Sequence, residues 1–170
     1  MKKITFLKNN LFKKIISYFR TIEIYESKYN LSFNLSNFYK FETYKNFTDV
    51  KSKNILRYFY KNKEKIKRFN TNCIFLTLSY KKKLVSSGWL FIGKKWNISE
   101  IDKEINVSKK YVIFDFITQI EHRNKGYYTK LLKFIRSKFK NKNILIYVLS
   151  SNKKSKKAII NAGFTLKKKY

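Results

Sequence analysis

The sequence predicts one α/β (α+β) domain spanning residues 1–170, with a single central, mixed, mostly antiparallel twisted sheet and helices on both faces. Three observations predict it. Apolar runs of strand length, rich in β-branched and aromatic residues, recur along the chain. Segments whose apolar residues have helical spacing lie between them. The second half alternates strand, helix, strand, helix and strand, and the 170 residues are enough to bury a core.

The first half contains two predicted helices and two predicted strands. Residues 4–20 are basic and amphipathic; they form either a helix packed on the core or a helix lying on an anionic membrane surface. Residues 21–26 and 38–44 have short strand patterns, and a helix begins at Asp49 or Ser52 and runs to about Phe69.

A hairpin follows, with strands over residues 72–80 and 84–92. The intervening residues 81–83 contain no Gly, Pro or Asn, so we expect a loop longer than two residues. Residues 97–110 are charged and lack a clear period, and we interpret them as a connection.

The stretch from 111 to 139 has the layout of an anion site. A β-branched and aromatic strand over residues 111–118 precedes a polar turn, and a helix begins near Gly126. The first N–H groups of a helix lack internal partners and lie at the positive end of its dipole. Gly126 lets a phosphate approach the backbone, and Arg123 and Lys125 add positive charge.

The last segment repeats the pattern. An apolar strand over residues 143–149 leads to Asn152 and Ser155, and a helix from there ends at Gly163-Phe164. We expect Gly163 to adopt a left-handed conformation and Phe164 to pack inward. The remaining residues suffice for one strand, over residues 165–169.

These motifs resemble the GNAT superfamily of acyl-CoA N-acyltransferases. Arg123-Asn124-Lys125-Gly126 is similar to that family's (Q/R)-x-x-G-x-(G/A) turn, with Tyr128 where a small residue is commonest. Asn152, three residues before Ser155 and eleven before Gly163, is similar to its second motif. The resemblance covers residues 84–170, the acyl-CoA-binding part, and is loose over residues 1–83.

The resemblance implies a sheet that splays open between its fourth and fifth strands, residues 111–118 and 143–149. It also implies a strand pair after Gly163-Phe164, for which the chain is too short. Either the sheet is one strand short, or the early strand over residues 21–26 substitutes.

Acetyl-CoA is the co-substrate that the resemblance implies. The turn supplies amides to its pyrophosphate, the edge of the preceding strand pairs with its pantetheine, and Asn152 contacts the pantetheine arm or simply caps the next helix. The expected cofactor-binding residues are Phe116, Ile117, Thr118, Arg123, Asn124, Lys125, Gly126, Tyr127, Tyr128, Asn152 and Ser155.

Amine acetylation also needs a proton acceptor and a proton donor. Asp115 lies within an apolar strand, where a carboxylate must be solvated in a cleft or paired, so it is either the base or a structural ion-pair partner. The tyrosine that often reprotonates the CoA thiolate in the family is replaced by Ile159. Tyr147 and Ser155 are the candidate replacements.

Cys73 is the only cysteine, so an intrachain disulfide is excluded. Because His122 is also the only histidine, we do not expect a zinc site with the usual Cys and His ligands. No metal is expected. No apolar run approaches ~20 residues, so a spanning helix is not expected, and a reducing cytoplasm fits.

The net charge of +30, from 40 Lys and Arg against 10 Asp and Glu, has two readings. It indicates an anionic partner such as nucleic acid, membrane or a phosphorylated ligand. Alternatively, the charge follows from compositional drift, because A/T-rich codons encode the abundant Lys, Asn, Ile, Phe and Tyr. In that case the charge is spread over a solvated surface and indicates no particular partner. Charge alone establishes no specific nucleic-acid binding.

The predicted function is transfer of an acetyl group from acetyl-CoA to a primary amine. The Gly88-Trp89 strand and the turn resemble members tied to surface-polysaccharide synthesis, which suggests a nucleotide-linked amino sugar as acceptor. Trp89 lies either in the core or at a cleft edge, where it would stack on a sugar. Alternatives are a protein amine as acceptor, or a non-enzymatic basic module that binds nucleic acid or membrane.

Overall fold

The structure is a computed structural model that describes residues 20–27, 33 and 36–170. The interpretation of residues 4–20 as an amphipathic helix therefore lies almost wholly outside the described residues. The strands are β1 (Ile22–Ser27), β2 (Tyr39–Tyr44), β3 (Cys73–Tyr80), β4 (Lys83–Ile92), β5 (Lys95–Ile98), β6 (Lys103–Asn106), β7 (Lys110–Thr118), β8 (Asn143–Leu149) and β9 (Thr165–Lys169). The α-helices are α1 (Lys53–Lys61), α2 (Tyr127–Lys138) and α3 (Lys153–Asn161), with short 3₁₀ segments at Phe47–Asp49, Lys63–Asn70 and Ile120–His122.

Seven strands form one sheet in the order β2-β3-β4-β7-β8-β1-β9. Every neighbouring pair is antiparallel except β7 and β8, which are parallel because α2 connects them as a crossover. At β3, apolar clusters lie on opposite faces of the sheet. Alternate residues of β3 pack under α2 and α3 on one face and under α1 on the other. The predicted mixed, mostly antiparallel sheet with helices on both faces is confirmed.

The early strand substitutes for the missing last strand. β1 lies between β8 and β9, antiparallel to both, and the C-terminal β9 forms the edge of the sheet. All six β1 residues are buried, including Glu23 and Glu26. The short strand predicted over residues 21–26 is confirmed, and its polar residues are buried together with its apolar ones. Lys156 and the Tyr25 hydroxyl contact the Glu23 carboxylate at 2.8 and 2.6 Å, and this pairing lowers its pKa.

Three further expectations are corrected by the structure. The β3–β4 turn has only two residues, Lys81 and Lys82, both with positive φ, so the expected longer loop is wrong. The predicted helix to about Phe69 breaks at Asn62 into α1 and a 3₁₀ segment. The segment interpreted as a connection, residues 97–110, contributes to a separate two-stranded hairpin of β5 and β6.

Two predictions near the chain's end are confirmed. Gly163 follows α3 with φ +82°, and Phe164 is buried. A Cβ on Gly163 would lie 2.3 Å from Nη1 of Arg136, whose guanidinium donates to the carbonyl of Ala162. Arg136 thus binds the carbonyl end of α3, where the helix dipole favours a cation. Trp89 is fully buried in the core, so its cleft-edge interpretation is wrong.

Candidate active site

The two parallel strands separate partway along their length. Pairing between β7 and β8 begins at Lys110 with Asn143 and ends at Ile113 with Ile146. Both strands continue beyond that point, to Thr118 and Leu149. A cavity of about 950 Å³ lies between the parted segments. Among the described residues, the β8-facing edge of β7 therefore has no strand partner next to this cavity.

A β-bulge in β7 lies where the strands separate. Trp89 of β4 pairs with Phe114 and Ser87 pairs with Ile117, so two β7 residues face the single residue Gly88. The first of the two, Asp115, has φ +49°. A bulge bends its strand and increases the local twist, which directs β7 away from β8.

Gly88 is required by close packing against this bulge. A Cβ there would lie 2.4 Å from the aromatic ring of Phe116. The Phe116 ring also contacts Tyr128, at 5.2 Å between centroids. Tyr128, the residue that departs from the family's small position, therefore packs its ring on β7, and burial raises the pKa of its hydroxyl.

The turn before α2 presents free backbone donors to the cavity. Asn124 and Gly126 both have positive φ, 60° and 73°, and Gly126 is the N-cap. Among the described residues, no acceptor takes the amide hydrogens of residues 124–129. The first helical amides and the dipole make this a favourable place for an anion. A Cβ on Gly126 would meet nothing within 4 Å, so φ alone explains the glycine.

The basic side chains of the turn brace it and remain exposed. Arg123 Nε donates to the carbonyl of Thr118 at 3.3 Å, and Lys125 Nζ donates to that of Glu121 at 2.9 Å. Tyr127 differs, because its side chain is buried in the core and only its amide is available to a ligand.

Asn152 caps α3. Its side-chain oxygen accepts from the amide of Ser155 at 3.1 Å, as the capping alternative predicts. Both residues also line the large cavity, together with Phe116, Ile117 and Thr118. Most residues expected to bind the cofactor thus lie around one cavity.

A second cavity, of about 720 Å³, adjoins the first. Four residues line both: Glu100, Phe114, Asp115 and Tyr147. Trp96 forms its aromatic wall, with ring centroids 4.9 Å from Phe91 and 4.5 Å from Phe114.

Asp115 is an ion-pair partner of two cations. Lys65 Nζ lies 2.9 Å and Arg68 Nη1 lies 2.5 Å from the same carboxylate oxygen. Burial raises the pKa of Asp115, but the hydrogen bonds and charges of Arg68 and Lys65 outweigh it, so the net pKa lies below the usual value. A carboxylate with a lowered pKa is a poor proton acceptor, which favours the structural interpretation of Asp115.

Tyr147 lies where the cavities meet. Burial, and then the charge of Glu100, raise its pKa to about 12. Its hydroxyl therefore keeps its proton at neutral pH. Ile159, at the position of the family's usual acid, is fully buried in the core.

Sequence reasoning missed four of the residues that line the second cavity: Lys65, Arg68, Trp96 and Glu100. The last two lie on or beside the overlooked hairpin, whose short alternation of Trp96 and Ile98 with polar residues was its only signal. No group of His, Cys, Asp and Glu in the described part of the chain is arranged to hold a metal. Across the same residues, no helix has the length and hydropathy needed to cross a bilayer.

Comparisons with solved structures bear on the fold. A GNAT-family acetyltransferase from Colwellia psychrerythraea matches 86% of this chain with a TM-score of 0.53 and 13% identity. A protein assigned to the same family from Novosphingobium aromaticivorans matches 88% with a TM-score of 0.59 and 9% identity. A tandem GNAT protein from the clavulanic acid biosynthesis pathway matches 88% with a TM-score of 0.50 and 7% identity.

The chain spans 52%, 61% and 51% of the length of those three proteins, respectively. No protein-family model matches the sequence. No curated protein matches it significantly. Structural likeness at this identity establishes the fold, and the chain therefore has the fold of the GNAT acetyltransferases.

Proposed function

We propose that this protein is an acyl-CoA-dependent N-acetyltransferase that uses acetyl-CoA as co-substrate and a primary amine as acceptor. The observation that carries the proposal is the separation of β7 and β8 beyond Ile113 and Ile146, over a cavity bordered by the free amides at the start of α2. An unpaired strand edge beside a helix N-terminus suits an extended thioester that ends in a diphosphate.

The pyrophosphate lies against the amides of residues 124–129. Gly126 adopts the left-handed conformation that begins the helix there, and Arg123 and Lys125 contribute positive charge. Because its side chain is buried, Tyr127 contributes only its amide. The pantetheine pairs with the free edge of β7 from Phe116 to Thr118, as an added strand does.

Opposite this edge, Asn152 and Ser155 line the other side of the pantetheine channel. The Asn152 oxygen is occupied by its capping bond, so its amide nitrogen is the group that contacts the arm. The Ser155 hydroxyl lies on the first turn of α3 and contacts the arm beside it.

The thioester lies at the junction of the two cavities. The amine attacks the carbonyl carbon from the smaller cavity, the C–N bond forms and the C–S bond breaks. Tyr147, which lines both cavities, donates its proton to the departing thiolate. A backbone amide of the β7 bulge stabilises the negative charge that develops on the carbonyl oxygen.

Asp115 acts in this scheme through the cations it holds. It fixes Lys65 and Arg68 at the wall of the smaller cavity. The guanidinium of Arg68 also lies 5.3 Å from the ring of Phe114, which orders this wall further. An amino sugar, including a nucleotide-linked one, suits the aromatic wall of this cavity, because Trp96 can stack on the apolar face of a sugar ring.

A thermal-shift experiment with acetyl-CoA tests the proposal. Acetyl-CoA at 100 times its Kd stabilises the folded protein by about 2.7 kcal/mol, and we expect a clear rise in Tm. Arg123→Glu should remove that rise, whereas Arg57→Glu, an equal charge change on the exposed face of α1, should keep it. A wild-type protein whose Tm does not respond to acetyl-CoA would contradict the proposal.

A further inference from the structure

The β5–β6 hairpin, which interrupts the path from β4 to β7, carries a carboxylate to the junction of the two cavities. On the basis of the proposed acetyltransferase function, we propose that Glu100 on this hairpin binds the ammonium group of the acceptor and accepts its proton, and that the smaller cavity takes a primary amine carried on a ring.

The hairpin is anchored to the domain. Ile98 and Val107 are fully buried and pack with Ile22, Val112 and Leu145 of the sheet. Its turn is closed by a hydrogen bond from the amide of residue 101 to the carbonyl of residue 98, at 3.2 Å. The turn that holds Glu100 therefore has a fixed position relative to the cleft.

Glu100 differs from the other carboxylate at the junction. Asp115 is held by two cations, whereas no basic side chain in the described ranges lies within salt-bridge distance of Glu100. The one hydrogen bond found for its carboxylate there is from the Ser99 hydroxyl, at 3.3 Å. Its charge reaches Tyr147, whose pKa it raises. Glu100 thus lines the same junction as the proposed acid and, among the described residues, has no salt-bridge partner.

The wall beside Glu100 is aromatic. Trp96 contacts Phe91 and Phe114 at 4.9 and 4.5 Å between ring centroids, and all three rings line the smaller cavity. Such a wall favours a flat partner, either an aromatic ring or the apolar face of a sugar. The carboxylate favours a cation close to that ring.

The proton balance is complete with these groups. The ammonium transfers one proton to Glu100, and the free amine attacks the carbonyl carbon of the thioester. When the tetrahedral adduct collapses, the C–S bond breaks and the sulfur receives the proton of Tyr147. The nitrogen loses its second proton, which restores the tyrosine through solvent. The products are the amide, CoA thiol and one proton, which leaves Glu100 for solvent.

The test measures thiol release from acetyl-CoA with four probes: phenethylamine, glucosamine, butylamine and glucosamine 6-phosphate. Wild-type protein should acetylate phenethylamine or glucosamine with a higher kcat/KM than butylamine. Glu100→Gln should lower that kcat/KM by about 100-fold or more, the size of a lost general base. Glu104→Gln, on the same hairpin and exposed, is the matched control and should behave as wild type.

Acetyl-CoA affinity, measured by calorimetry, separates this inference from the function on which it rests. Equal Kd values for wild type and Glu100→Gln, together with lost turnover, support the inference. It is overturned if Glu100→Gln retains turnover, or if none of the three ring-bearing probes reacts faster than butylamine although acetyl-CoA binds. If wild-type protein does not bind acetyl-CoA, the proposed function itself fails.

Discussion

Replacing Asp115 with asparagine removes one charge while preserving the backbone. Asp115 lies in the left-handed region at φ +49°, which asparagine tolerates as well as aspartate does. The substitution leaves Lys65 and Arg68 as neighbouring cations without their shared carboxylate. We therefore expect Asp115→Asn to destabilise the folded protein through charge alone.

The magnitude follows from burial. The side chains of Lys65, Arg68 and Asp115 are 11%, 31% and 31% exposed. An exposed ion pair contributes at most about 1 kcal/mol, and breaking a fully buried one costs about 3–5 kcal/mol. This partly buried pair of contacts lies between those limits, so we expect a loss of about 2 kcal/mol. For a domain of this size, that lowers Tm by roughly 4–8 °C.

The pH dependence gives a second readout. The pKa of Asp115 is lowered in the folded state, so its contribution to stability is complete above the unfolded-state value of 3.8 and is lost as the pH falls through the folded value. The stability difference between wild type and Asp115→Asn should therefore be constant near neutral pH and shrink below about pH 4.

Urea denaturation at pH 7 and in the acid range measures both quantities, and thiol release measures turnover. Asp115→Ala, which adds backbone strain at positive φ, should be less stable than Asp115→Asn by roughly 1 kcal/mol. An Asp115→Asn protein with wild-type stability and no turnover would refute the structural assignment and restore Asp115 as the base.

Three further predictions concern single side chains. Gly163→Ala places a Cβ against Arg136 at positive φ and should lower the free energy of unfolding by about 1–3 kcal/mol in urea; a change below about 0.5 kcal/mol would contradict the packing described. Tyr147→Phe should lower kcat about 100-fold and leave acetyl-CoA affinity intact, and an unchanged kcat would remove the tyrosine as the acid. Gly88→Ala displaces the ring of Phe116 and should lower the free energy of unfolding by about 1–3 kcal/mol. It should also weaken acetyl-CoA binding. Wild-type affinity in this variant would show that the ring does not border the pantetheine.

The segment from β7 through α2 could be predicted from sequence because its signals are local. A β-branched strand, a turn ending in glycine and a helical period lie next to each other in the chain, and the structure places them as expected. The same holds for β8 and the Asn152 cap, where strand and helix are consecutive.

The residues that form ion pairs in the candidate site are distant from each other in sequence. Arg68 and Asp115 are separated by 47 positions, and nothing local marks them as a pair. The position of β1 between β8 and β9 likewise depends on contacts across almost the whole chain. Periodicity reports which residues are buried and says nothing about which strands are neighbours.

Two wrong predictions, the longer β3–β4 loop and the connection in place of the β5–β6 hairpin, have causes in the local sequence. Lys81 and Lys82 form a two-residue turn with positive φ, a conformation for which lysine is an unusual choice and glycine or asparagine the usual one. The β5–β6 hairpin has strands of four residues each, and in β5 only Ile98 is fully buried. Alternation over so few positions is too short to distinguish a strand from a loop.

Isothermal calorimetry with acetyl-CoA measures whether the parted strands and the amides before α2 form an acyl-CoA site. We expect one bound acetyl-CoA per chain, and we expect Gly126→Glu to abolish binding by placing a carboxylate, at strained positive φ, over those amides. Gly126→Ala carries the same backbone strain without the carboxylate, and its Cβ would meet nothing within 4 Å, so this control should keep binding acetyl-CoA. Binding that survives in Gly126→Glu, or that is absent from the wild-type protein, would contradict the account.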